Sequence, residues 1–341
     1  MPQPYDALLL LSFGGPECMD DVIPFLENVT RGRNTPLARL QSVARHYELF
    51  GGVSPINEHN RKLIKSIEDE LQVRGLKLPV YWGNRNWHPL VEATMADMAA
   101  NNVRRALAFA TSAYGSFSGC RAYLNDIEKA QSAAGDRAPV VHKLPLFYNN
   151  PLFIEANVDY LQQALNEIPA ERRDGAHIVF TAHSIPQGMA TACSYEAQLL
   201  ETATLVCAKL QRPEFKLVFQ SRSGSPAQPW LGPDICEYLK EYALTASSKD
   251  VVVQPIGFIS DHMEVMYDIG VEAKAVADDL GLNLVRAATA GTHPAFVRMI
   301  VDMIVEKMNN PEPDSYQSCA VDCCPSGAPT PAAAGGSQCA K

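Results

Sequence analysis

The stretch DALLLLSFGGPE (residues 6–17) decides how this chain folds. An unbroken apolar run closes on Gly14-Gly15-Pro16, the pattern of a strand buried on both faces and stopped by a turn. Val22, Phe25, Leu26 and Val29 follow at helical spacing. This strand–turn–helix unit then repeats. Strand-like runs recur at 80–82, 105–113, 140–144, 178–182, 216–220, 251–259 and 282–287, with helical patterns between them, among them 154–165, 195–209 and 265–280. Continuous apolar strands alternating with helices make parallel sheets covered on both faces, an α/β fold.

At 341 residues there is room for two such units. The segment LPLFYNNPLFIEAN (144–157), with Pro145 and Pro151, is where the chain crosses from one to the other. We expect a first unit over 1–148, completed by a final helix over 293–308, and a second over 149–292, the two facing each other across a cleft. From 309 to 341 the composition turns to Pro, Ala, Gly, Ser and Cys, a low-complexity tail.

The formal charge of −9 argues against broad nucleic-acid binding, which wants a basic face. The apolar run near the start is too short to span a bilayer and carries no signal-peptide flank, so we expect a cytoplasmic protein without a transmembrane segment. Nine cysteines are many for such a protein. Cys18, Cys120, Cys193, Cys207 and Cys236 are scattered, whereas Cys319, Cys323, Cys324 and Cys339 cluster in the tail. Disulfides are disfavoured in a reducing compartment, so the cluster points to metal. There is no Walker loop, and Gly14-Gly15-Pro16 lacks the G-x-G-x-x-G spacing, which turns attention away from nucleotides.

Ligands of open α/β sheets bind beyond the carboxyl ends of the strands. In FTAHSIPQG (180–188), His183 stands at such an end. In GFISDHMEVMYDIG (257–270) a strand runs out into a helix, with Asp261 and His262 beside Glu264. Glu264, Asp268 and Glu272 recur every fourth residue, which lines three carboxylates along one helix face. His183 and Glu264 facing across a cleft would be a ligand pair for Fe2+ or Zn2+, or equally a base with a proton acceptor. Loops after other strands add Arg31 and Arg33 for carboxylates, Ser54 in a glycine-bounded loop, the aromatics Tyr114, Phe117 and Tyr123, and Gln220, Arg222, Ser223 and Trp230. Together they suit a large, flat, partly apolar ligand.

Five ordered motifs, LLLLSFGGPE, GGVSPIN, FTAHSIP, QSRSGSPAQPWLGPD and PIGFISDHMEVMYDIG, make residues 6–308 resemble the ferrochelatase family, whose members insert Fe2+ into a porphyrin. The resemblance implies two Rossmann-like domains, each with a parallel four-stranded sheet flanked by helices, around a porphyrin cleft. It implies that His183 is the metal-site histidine, Glu264 its acidic partner, and Asp268 and Glu272 a relay for cation or protons. Whether His183 binds the iron or accepts a pyrrole proton stays open. Ser54 and Tyr123 match porphyrin contacts, and Arg31 and Arg33 fall near the propionates. Phe13 stands where one bacterial branch has an iron-touching tyrosine. It can pack on the macrocycle but has no ligand atom. His46 stands where that branch has an arginine.

The chain looks like the actinobacterial type, which implies a 2Fe–2S cluster on Cys120, Cys319, Cys323 and Cys324, with Cys339 as a spare, and coproporphyrin III as the substrate. Protoporphyrin IX is the alternative substrate. A cobalt or nickel chelatase and a non-catalytic tetrapyrrole or metal binder are the alternative functions. A monomer working beside other enzymes of the heme pathway completes the expectation.

Overall fold

The computed structural model describes residues 4–223, 228–310 and 324–325. Two parallel four-stranded sheets form its frame. The first contains β1 (Ala7–Ser12), β2 (Val80–Asn84), β3 (Arg105–Ala110) and β4 (Val140–Lys143), in the order β2-β1-β3-β4. The second contains β5 (His177–His183), β6 (Lys216–Gln220), β7 (Asp250–Gln254) and β8 (Asn283–Arg286), in the order β6-β5-β7-β8. The second sheet repeats the topology of the first. Each changes strand direction of travel beside its first strand, at β1/β3 and β5/β7, where such sheets open a crevice.

The apolar run of β1 is buried along its whole length, as a strand covered on both faces requires. It is followed by α1 (Met19–Val29), α2 (Leu37–Glu48) and α3 (Ile56–Val73) before β2 begins. The crossover at 144–157 becomes the start of the helix Pro151–Asn166. Asn150 caps that helix by accepting from the Leu152 N–H at 3.0 Å, and Pro151 occupies a first-turn position where no donor is needed. The final helix Pro294–Asn309 packs on both Pro151–Asn166 and α3, and Arg74 past the end of α3 pairs with its Asp302 at 2.6 Å. Phe109, Phe147, Phe153 and Phe296 meet in one buried aromatic group, so strands and helices of both halves share a core.

Two elements depart from expectation beside the site. The run at 251–259 is a strand only to Gln254, because Pro255 has no N–H for the ladder. The chain then folds over the end of β5, with the Gly257 N–H donating to the Thr181 carbonyl at 3.0 Å. A Cβ on Gly257 would lie 2.5 Å from the Ala182 Cβ, so only glycine permits this crossing, one residue from His183. The helix expected over 265–280 starts as a π helix, Val265–Ala273, and becomes α-helical over Lys274–Asp279. Wide turns of this kind gather at functional sites.

Candidate active site

His183 is the last residue of β5, half-buried at the carboxyl edge of the second sheet. Its Nδ1 lies against the Ser184 carbonyl. A carbonyl only accepts, so Nδ1 carries the hydrogen and the neutral ring keeps its lone pair on Nε2. That Nε2 faces Glu264 Oε2 at 3.6 Å. Glu264 opens the π helix from an exposed position. The Tyr195 hydroxyl donates to the His183 carbonyl at 3.1 Å, and the Ser184 hydroxyl to the Leu231 carbonyl at 2.7 Å, so the main chain on both sides of the imidazole is anchored.

His262 joins this pair. Its Nδ1 accepts from the Val265 N–H at 3.2 Å, which caps the π helix and leaves the hydrogen on Nε2. Burial pulls its pKa down, Glu264 pulls it up and His183 adds to the lowering, so the three groups share one field. Behind them, Asp261 is clamped by both Arg286 guanidinium nitrogens at 2.8 and 2.9 Å, with Thr289 donating at 3.4 Å. A bidentate pair of this kind fixes direction as well as distance.

Asp268 is the second carboxylate of the acidic line. It accepts from Gln220 Nε2 at 3.3 Å and from the Ser221 hydroxyl. Burial first, then Glu264 and Glu272, push its pKa up to about 7, while the two donors pull it back. Glu272 lies exposed at the far end of the line. Beside it the His46 ring of α2 stacks on Tyr267 of the π helix, with centroids 3.8 Å apart and planes 7° from parallel. Burial lowers the His46 pKa, with Glu272 opposing and Arg39 assisting.

The hairpin of α1 and α2 sits on the residue before Glu264. Met263 packs among Val22, Phe25, Leu26, Leu40, Ala44 and Tyr47. The Tyr47 phenol is pushed up by burial and then by Glu264. Phe13, 38% exposed after β1, meets Phe25 edge-on at 6.2 Å, and Phe25 meets Tyr47 and Trp87 in the same way. An apolar ledge carrying an exposed phenyl thus runs from the first sheet to Met263, next to Glu264.

The other expected residues make contacts of their own. Ser54 is buried against Gly15, where an added Cβ would meet the Ser54 Cβ at 2.7 Å. Arg31 and Arg33 are exposed beyond α1, with Arg31 donating to Asn28 at 3.2 Å. Tyr123 is 4% exposed, inside the core with Leu9, Leu11 and Ile127, and the Arg85 guanidinium covers its ring at 5.3 Å. Its ring is used in packing, a consequence of the helix Ala122–Ala134 turning that face onto the first sheet.

Cys120 is buried in the π turn Phe117–Arg121, and Cys324 is half-buried with a left-handed backbone, φ 56°. Cys319, Cys323 and Cys339 lie outside the described residues. Among the described residues no three His, Cys, Asp or Glu side chains converge closely enough to hold a metal. Sequence reasoning passed over the Asp261–Arg286 clamp and the His46–Tyr267 stack, since each joins residues distant along the chain.

This arrangement of two repeated parallel sheets is the fold of the chelatases. It matches SirB from Bacillus subtilis with Fe3+ at a TM-score of 0.55 and 12% identity, covering 90% of this chain and 97% of that one. The sirohydrochlorin chelatase SirB from Bacillus subtilis subspecies spizizenii in complex with cobalt matches at 0.54 and 13%, with the same coverage. The chain belongs to the ferrochelatase family, whose profile matches residues 5–308. It is 46% identical to a coproporphyrin III ferrochelatase of Streptomyces coelicolor, over 97% of this chain and 96% of that one. It is 50% identical to another of Nocardia farcinica over 90% of each, and 45% identical to a ferrochelatase of Rhodopirellula baltica over 94% and 93%. Among the described residues no helix is long and apolar enough to cross a membrane.

Proposed function

We propose that this chain inserts Fe2+ into coproporphyrin III, giving Fe-coproporphyrin and two protons. The observation that carries the reading is the His183 Nε2–Glu264 Oε2 pair at 3.6 Å, with the imidazole hydrogen held on the other nitrogen. A divalent ion about 2.1 Å from each atom would subtend about 120°, since sin(θ/2) is 1.8/2.1. The pair can therefore hold one incoming cation while leaving its remaining positions to the macrocycle. When it is not holding the ion, the same Nε2 lone pair can instead take a pyrrole proton. His183 and Glu264 are the catalytic residues in this reading, and Asp268 and Glu272 pass the cation in or the protons out.

Phe13 supports one face of the ring, and Ser54, Arg31 and Arg33 belong to the rim, the arginines matching propionates. The macrocycle lies between a first domain over 1–148, completed by 293–308, and a second over 149–292. Tyr123 contributes through the packing of the first domain. The substrate assignment draws on relatives in Streptomyces and Nocardia that carry the coproporphyrin III name. Four propionates also suit a cleft with an exposed arginine rim.

Cys120 with Cys319, Cys323 and Cys324, and Cys339 in reserve, would be the ligand set of a 2Fe–2S cluster. Four thiolates are the donors such a cluster takes, and a buried Cys120 offers it a shielded position. Bound there, the cluster would supply one-electron chemistry, and iron insertion makes no use of it. The protein works as a cytoplasmic monomer beside enzymes that make and consume the porphyrin.

An anaerobic assay with Fe2+ and each porphyrin tests the reading. Coproporphyrin III is expected to turn over faster. Faster turnover of protoporphyrin IX would overturn the substrate, and turnover of neither would leave a non-catalytic binder.

A further inference from the structure

Strand β6 ends on Gln220, whose Cα lies directly across from that of His183 in the β5–β6 register. The Ser184 N–H donates to the Gln220 carbonyl at 2.8 Å, so the main chains of the two strand ends are tied. The Gln220 side chain is 1% exposed. Its amide nitrogen donates twice, to the Glu264 carbonyl and to Asp268 Oδ2, both at 3.3 Å. Its Oε1 finds no protein partner among the described residues. The next residue, Ser221, holds a left-handed backbone at φ 61° and brings its hydroxyl to the same Asp268 oxygen. Serine takes that conformation at a cost, and such strain gathers where geometry serves function.

We infer that Gln220 is a positioning residue for iron insertion, its amide fastening the first turn of the acidic π helix to the strand pair that presents His183. This rests on the function proposed above. The amide reaches the main chain of Glu264 and not its carboxylate, so it sets where that carboxylate stands without competing for its oxygens. Its second bond, together with Ser221, holds Asp268 one turn further along. The strand ends and the helix are separate elements, and Gln220 joins them by hydrogen bonds to both. A hydrocarbon of equal length would fill the same space and leave the helix free to slide against β5. A shift of one ångström at the Glu264 turn would open the 3.6 Å gap to His183.

The test is Gln220→Met, which keeps length and apolar volume and removes both donors. Outer partners of a metal site typically change activity by about 10- to 100-fold. We expect kcat for Fe2+ insertion to fall by about that factor and KM for Fe2+ to rise, while porphyrin affinity, read by fluorescence quenching, stays within about twofold. Ser221→Ala, which removes one donor to Asp268 and none to Glu264, should lose less. Unchanged kcat in a folded Gln220→Met would overturn the inference. So would a joint loss of kcat, porphyrin affinity and melting temperature, the signature of a merely structural residue. If Gln220→Met does not fold, Gln220→Asn, an amide one methylene too short, carries the same comparison.

Imidazole NMR of the resting protein gives a readout independent of turnover. The His183 ring resonances should shift in Gln220→Met, because Glu264 has moved, and unshifted resonances count against the inference. If wild type turns over no porphyrin but the His183 signal still moves, the proposed function fails and the positioning role stands.

Discussion

Replacing Asp268 by Asn tests the electrostatics of the acidic line through stability alone. In the folded protein the Asp268 pKa is pushed from 3.8 to about 7, chiefly by burial and by Glu264. The unfolded chain releases this proton near its ordinary value, whereas the folded carboxyl keeps it until about pH 7. Unfolding therefore releases a proton between about pH 4 and 7, and the wild type loses stability as pH rises through that window. Each unit of difference is worth 1.36 kcal/mol, so about three units set an upper limit of about 4 kcal/mol above pH 7. Relaxation of partly solvated surroundings brings the expected value to about 2 kcal/mol.

Asparagine removes the titration and can still accept from Gln220 and Ser221 through its carbonyl oxygen. Urea unfolding of both proteins at about pH 4 and about pH 8 reads the difference. The variant should match wild type at the acid end and exceed it by about 2 kcal/mol at the alkaline end, while inserting iron more slowly. A stability difference that is the same at both pH values would refute the reasoning.

Three further outcomes follow from the geometry. His183→Ala should lower iron insertion by about 100-fold or more while porphyrin binding, followed by fluorescence, is retained; sustained insertion would remove His183 from the chemistry. Gly257→Ala places a methyl 2.5 Å from the Ala182 Cβ and 2.7 Å from its Cα, so it should cost about 1–3 kcal/mol and lower the melting temperature measured by calorimetry. An unchanged melting temperature would mean that the loop over β5 gives way freely. Cys120→Ser in the full-length chain should abolish visible absorption of the purified protein. Persistent colour would place the cluster ligands elsewhere.

The alternation of strands and helices was legible in the chain itself because the inner strands β1, β3, β5 and β7 are covered on both faces. An apolar run such as 7–11 then has few ways to be satisfied except in the middle of a parallel sheet. Lys216–Gln220 and Tyr195–Lys209 have the ends that their residue patterns indicate. The place of His183 was legible too, as a polar group where an apolar strand runs out. The end of β7 was misjudged by five residues, although Pro255 was there to read. Pattern counts apolar residues and is blind to a missing N–H.

Only the tertiary structure set His183 Nε2 at 3.6 Å from Glu264, put the hydrogen on Nδ1, and made the first nine residues of the acidic helix a π helix. Only it turned Tyr123 into the core and stacked His46 on Tyr267. The division has one physical cause. Burial and hydrogen bonding along a segment leave a periodic trace in that segment. The chemistry at the carboxyl ends of β5 and β6 depends on groups brought together from His46, Gln220, Glu264 and Arg286, and no local pattern records such a meeting.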